Sequence, residues 1–218
     1  MTADWRIGDA VLAVLSGLFA GAFAFAAIGT IDPTPFQTFG IILPAQEAAS
    51  FATFWMLSRR RGIARPFAKL GIPPRRGLAW LILVGVGLAV VATLALNILV
   101  DFEEAPQEIA RIAEEATGVT AVLAFIGSVL LAPVVEEIIF RGVLLRGLQR
   151  RMPFSASAIV SSAAFAAFHF NGPDTLVILP PLFILGVILA VAARRLGVGA
   201  AIYVHSGFNL LAAVTFFL

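Results

Sequence analysis

An all-α fold, a polytopic bundle of about seven to eight transmembrane helices around a central polar cavity, is predicted by three observations. Of the 218 residues, 60% are hydrophobic and 13% charged, with a mean hydropathy of +0.99, whereas a soluble domain carries about 25% charge. Apolar stretches close to the ~20 residues that a bilayer requires recur along nearly the whole chain. Carboxylates, histidines and an asparagine interrupt three of those stretches, where they must face one another or water rather than lipid. The chain is therefore read as one integral membrane domain, 1–218, with no room for a separate soluble unit.

The apolar stretches run over 10–31, 36–57, 77–100, 119–145, 154–170, 175–193 and 197–218, and each is predicted to be a helix. Arg6 precedes the first, and Ala24-Phe25-Ala26 inside it resembles a cleavage site. The apolar run nevertheless continues to Ile31 and further spans follow, so an uncleaved first span is expected. Asp32-Pro33-Thr34-Pro35 separates it from the second stretch, which carries Gln46 and Glu47. The segment 59–76 holds Arg59, Arg60, Arg61, Arg65, Lys69, Arg75 and Arg76 with no acid, and is broken by Pro73-Pro74. The segment 101–115 is its opposite, with six acids against Arg111 alone. Ile109, Ile112, Ala113 and Ala116 recur there three and four apart, as in an amphipathic helix lying on the membrane. Asn171-Gly172-Pro173-Asp174 and Gly197 divide the last three stretches.

Seven crossings that start inside put every basic cluster, including Arg141, Arg146, Arg150, Arg151, Arg194 and Arg195, toward the cytoplasm and the acidic segment outside. That pattern explains the net charge of +2 and the pI near 9.9 without nucleic acid, and it implies the plasma membrane if the source is prokaryotic. Cysteine is absent, so disulfides and thiolate chemistry are excluded and any metal must be held by His, carboxylate or amide groups. No internal repeat of the kind that marks many transporters is apparent.

Three constellations carry the chemistry, each pairing side chains four residues apart and hence on one helical face. In Glu136-Glu137-Ile138-Ile139-Phe140-Arg141 the glutamates diverge by ~100°, so Glu137 is expected to pair with Arg141 and leave Glu136 for the cavity. Pro133 is expected to bend this helix. Phe165-Ala166-Ala167-Phe168-His169 sets a ring one turn before a histidine, and His205-Ser206-Gly207-Phe208-Asn209 sets an amide one turn after the other. A carboxylate, two imidazoles and a carboxamide suffice to bind and activate one water. From a boundary near Arg151–Pro153, Glu136 is 15 residues back and His169 is 18 forward, which makes them level at roughly 22–27 Å. His205, ten residues after Arg195, is expected to be shallower at ~15 Å, so that tilt or a broken helix must close the gap. Plainer roles are interhelical hydrogen bonding for either histidine, a structural ion pair for Glu137 and Arg141, and packing for Phe165. Glu47 fits a supporting role or simple proximity to a polar cavity.

The ordered set Glu-Glu-x-x-x-Arg, Phe-x-x-x-His and His-x-x-x-Asn on successive apolar helices resembles the CPBP family of intramembrane proteases, which includes the type II CAAX prenyl endopeptidases and the Abi-type immunity proteins. The resemblance covers 133–210, within an expected catalytic core of 119–218. It implies an intramembrane endopeptidase in which Glu136 activates water, His169, His205 and Asn209 hold that water or polarise the scissile carbonyl, and Glu137, Arg141 and Phe165 support them. The implied partners are a membrane-associated peptide, prenylated or not, and the lipid bilayer. A Zn²⁺ ion on His169, His205 and Glu136 is one route to activation; a metal-free arrangement is the other, and these residue types serve both. A proton-coupled transporter and a non-catalytic scaffold or immunity protein are the readings of a different class. A serine protease fits less well, since Ser161, Ser162 and Ser206 lie in no Gly-x-Ser-x-Gly elbow.

Overall fold

The computed structural model describes residues 4–29, 32–74, 76–99 and 115–217. Eight helices with no strand among the described residues form the bundle: α1 (Ile7–Ile28), α2 (Leu43–Arg60), α3 (Pro66–Leu70), α4 (Leu81–Leu99), α5 (Val119–Leu148), α6 (Phe154–Phe168), α7 (Leu179–Leu196) and α8 (Val198–Phe217). Each of the seven apolar stretches holds a helix among the described residues. Four segments, Ile7–Ile28, Leu81–Ile98, Val119–Leu148 and Thr175–Leu196, are long and apolar enough to cross a membrane, while Phe154–Phe168 and Val198–Val214 are apolar but shorter. The chain is an integral membrane protein, and exposed side chains such as Phe19 (80%) and Ile98 (82%) form its lipid-compatible outer surface. Most of the amphipathic helix expected in 101–118 falls outside the described residues.

Two prolines explain where α-helical winding gives way to wider π turns. Thr38–Ile42 precedes Pro44, and Gly127–Leu131 precedes Pro133. A proline lacks the N–H for the carbonyl four residues back and its ring crowds that carbonyl; one wide turn absorbs both problems without ending the helix. A third π turn, Ile138–Leu144, lies directly after the paired glutamates.

Small residues set the closest helix contacts, as expected where lipid and protein are equally apolar. Gly207 of α8 faces the Ile82 backbone of α4, and Gly85 of α4 faces Val204 and Phe208 of α8, with no space for a Cβ on either. Gly186 of α7 lies against Ser162 of α6, and Gly17 and Gly21 of α1 lie against Gln46 and Ser50 of α2.

The basic stretch 59–76 is no solvated loop. Ile63, Phe67 and Leu70 enter the main core, and Leu70 packs where a side chain at Gly142 would stand. Arg146 Nη2 donates to the Lys69 carbonyl over 3.0 Å. Gly71 meets Gly197, whose φ of 95° lets the chain reverse between α7 and α8 under this segment. The first turn of α8 is consequently sunk into the bundle, with Val198, Ala200 and Ala201 buried.

Candidate active site

Glu136 and Glu137 sit at the last α-helical residues of α5 before its second π turn, His169 caps α6, and His205 and Asn209 flank the middle of α8. The expected ion pair forms: Arg141 Nη1 donates to Glu137 Oε1 over 2.9 Å, both side chains fully buried, and Nη2 reaches the Gly186 carbonyl over 3.2 Å. His205 Nδ1 lies 3.0 Å from the same Glu137 oxygen, and His205 Nε2 lies 3.8 Å from Glu136 Oε2. The glutamates do point different ways, yet they address the two nitrogens of one ring.

His169 completes the cluster. Its Nδ1 is 2.9 Å from the Phe165 carbonyl, which can only accept, so the proton is on Nδ1 and the Nε2 lone pair is free. Nε2 lies 3.8 Å from Glu136 Oε2, the same distance as His205 Nε2. A carboxylate opposite His205 Nδ1 sets the same tautomer there. Glu136 Oε2 is itself buried and has no hydrogen-bond partner among the described residues. Two imidazole lone pairs and a carboxylate oxygen therefore converge with no donor between them, an arrangement that calls for a water, a proton or a cation.

His205 is not shallow. Its distance to Glu136 matches that of His169, and the sunken start of α8 beneath 66–74 closes the gap in depth. Among the described residues no group of three or more His, Asp or Glu side chains is close enough to hold a metal ion. Two imidazoles and a carboxylate are donor types that Zn²⁺ accepts, so His169, His205 and Glu136, with Glu136 Oε2 3.8 Å from each Nε2, are the residues that would hold such an ion.

Asn209 is partly committed. Ala132 N–H bonds to the Gly127 carbonyl, and Pro133 has no N–H, which leaves the Ser128 carbonyl short of a helical donor. Asn209 Nδ2 donates to it over 2.9 Å, tying α8 to α5. The second Asn209 amide hydrogen remains for other use.

Phe165 is the shared wall. Its ring is edge-on to His169 (centroids 4.8 Å) and His205 (5.4 Å), and the Arg141 guanidinium lies 4.3 Å from its centroid. Phe165→Leu is expected to lower stability by about 1–2 kcal/mol and to slow turnover by roughly tenfold as both imidazoles loosen; unfolding midpoints and kcat on one preparation test this. The Gly186 and Ser128 carbonyls are partners that no motif announces, since backbone atoms leave no signature in a motif. Ser161, one of the serines considered as a nucleophile, donates to the buried Phe140 carbonyl over 2.9 Å. Glu47, on the α2 helix that packs against the Glu136 segment, interacts electrostatically with Glu136.

Residues 118–211 match a family model described as Type II CAAX prenyl endopeptidase Rce1-like. This region is similar to the Rce1-like family. No curated protein and no solved structure matches the chain. The Rce1-like region runs from the residue before α5 into α8 and includes Glu136, Glu137, Arg141, Phe165, His169, His205 and Asn209. That similarity supports endopeptidase activity of the CAAX type in general. The Rce1-like region does not include α1 to α4, although α2 and α4 touch the segments that carry its polar residues.

Proposed function

We propose that this protein is an intramembrane endopeptidase that hydrolyses a peptide bond with a water activated by Glu136. The observation that carries this is the partnerless Glu136 Oε2, 3.8 Å from the free Nε2 atoms of both His169 and His205. A water among them donates one hydrogen to the carboxylate and the other to an imidazole. Glu136 takes the first proton as the water oxygen attacks the carbonyl carbon, then delivers it to the amide nitrogen as the C–N bond breaks. The imidazole takes the second proton from the new carboxylic acid. The spare N–H of Asn209 donates to the developing oxyanion, and His205, steered by Glu137, keeps the water aligned. Each group is fixed beforehand by a packed neighbour, which favours rate. The scissile bond belongs to a membrane-associated or lipidated peptide, with a prenylated peptide as the class that the family name points to. The basic helix ends face the cytoplasm on this reading.

The test is cleavage of prenylated and unprenylated peptides by purified protein in detergent, comparing wild type with Glu136→Gln, each with and without a chelator. Cleavage by wild type alone, unaffected by chelation, is expected. Equal cleavage by both proteins overturns the role of Glu136. Loss of activity on chelation, restored by added Zn²⁺, replaces the metal-free step.

A further inference from the structure

A second concave site lies at the C-terminal end of α5, ten residues beyond Glu137, between the start of α1, the end of α2 and the turn that follows α5. It is a half-open hollow of about 750 Å³ lined by Arg6, Arg61, Arg150 and Arg151 together with Asp9, Gly147 and the α1 residues Val11 and Leu12. Asp9 does not neutralise the group. It is buried, accepts from the Arg6 backbone N–H over 2.7 Å, and is bound in a fork by Arg61, with Nη2 to Oδ1 at 2.7 Å. One acid and one base thus cancel, and Arg6, Arg150 and Arg151 remain without an ion-pair partner among the described residues. Three like charges around one cavity repel one another unless an anion joins them.

The rest of the lining says what kind of anion. Val11 is 48% exposed and Leu12 53%, and they open onto the lipid-facing stripe of α1 that continues through Leu15 and Phe19. A free inorganic ion makes no use of that stripe. An amphiphile does: its charged head sits among the arginines, and its chain lies along Val11, Leu15 and Phe19, which are four residues apart and share one helical face. Gly147 contributes by having no side chain; a Cβ there would stand 2.7 Å from the Ile7 backbone nitrogen, so the wall is as thin as the backbone allows.

We infer that the Arg6, Arg61, Arg150 and Arg151 cavity is a binding site for an anionic phospholipid, its phosphate held by Arg6, Arg150 and Arg151 and its acyl chain laid on α1. Guanidinium groups suit the part, since each offers paired N–H donors to two phosphate oxygens. The inference is independent of the proteolytic reading, because none of these residues belongs to the Glu136 cluster.

Native mass spectrometry of the full chain in detergent, titrated with phosphatidylglycerol, phosphatidylcholine or inorganic phosphate, tests it. Wild type is expected to hold phosphatidylglycerol at least tenfold more tightly than phosphatidylcholine. Removing two surface cations in Arg150→Gln/Arg151→Gln is expected to weaken phosphatidylglycerol binding by about thirtyfold. The pair Arg59→Gln/Arg60→Gln removes the same charge from exposed positions outside the cavity and is expected to leave binding within about threefold. Equal binding of the two lipids overturns the site, and so does equal weakening by the two double variants, which would mean a diffuse charge effect. Displacement of phosphatidylglycerol by inorganic phosphate at comparable concentration overturns the lipid as occupant. Unfolding midpoints of both variants close to wild type show that the comparison is between folded proteins.

Discussion

Glu136→Gln is expected to fall in kcat by about a thousandfold with an unfolding midpoint unchanged from wild type, while Glu137→Gln, one residue on, is expected to lose stability as well as activity. The contrast follows from what each carboxylate touches. Glu136 Oε2 makes no hydrogen bond that an amide would forfeit, so the substitution removes the base and little else. Glu137 Oε1 receives Arg141 and faces His205 with no exposure to solvent. An amide there leaves a buried guanidinium without its counter-charge, at a cost of about 3–5 kcal/mol, read as a midpoint lower by roughly 10 °C for a chain of this size. The double variant Glu137→Leu/Arg141→Leu removes both charges. It is expected to regain most of the lost stability and none of the lost activity, because His205 has no acceptor for Nδ1. A double variant as unstable as the single one would show that the pair is not the source of the effect.

The other large effect comes from a residue with no side chain at all. Gly207→Ala is expected to lower stability by about 1–3 kcal/mol and turnover by roughly a hundredfold, although the glycine takes no part in the chemistry. It stands between His205 and Asn209, and its α-carbon rests against the Ile82 backbone of α4. Even a methyl group forces α4 and α8 apart, and the imidazole and amide move with α8. Gly85→Ala makes the reciprocal intrusion from α4 into Val204 and Phe208. Since one displacement relieves both, the two substitutions together are expected to cost clearly less than the sum of each alone. Strict additivity in a four-variant unfolding and activity series would rule out a shared displacement.

Much of this was legible beforehand, because hydropathy and four-residue spacing are properties of side chains in order. The seven helical stretches, the Glu137–Arg141 pair and the gathering of Glu136, His169 and His205 all follow from those two signals. What escaped depends on the backbone. A π turn leaves the hydrophobic pattern unaltered, so Pro133 suggested a bend, whereas the structure holds a wide turn and a carbonyl that Asn209 satisfies. The depth of His205 could not be counted from Arg195, since the count assumes that α8 starts at the boundary, and Val198 starts inside. The run of arginines in 59–76 concealed Ile63, Phe67 and Leu70, three apolar residues too scattered to signal that the segment belongs to the core.

That inward-folded segment and α4 also bear on what can be moved between proteins. The polar cluster lies wholly within 118–211, but that stretch is not self-sufficient: Gly207 meets α4, Gly142 meets Leu70, and Gly199 meets Gly71 and Pro74. In each case the glycine is in the stretch and the filling group is outside it. Excised alone, 118–211 would present these bare backbone surfaces to lipid or water, and a foreign scaffold would need to match each of them. Gly147, also in the stretch, meets Ile7 at the start of α1 in the same way, so chimeras joined at residue 118 are expected to misassemble, whereas those that keep α1 to α4 of the donor are expected to assemble.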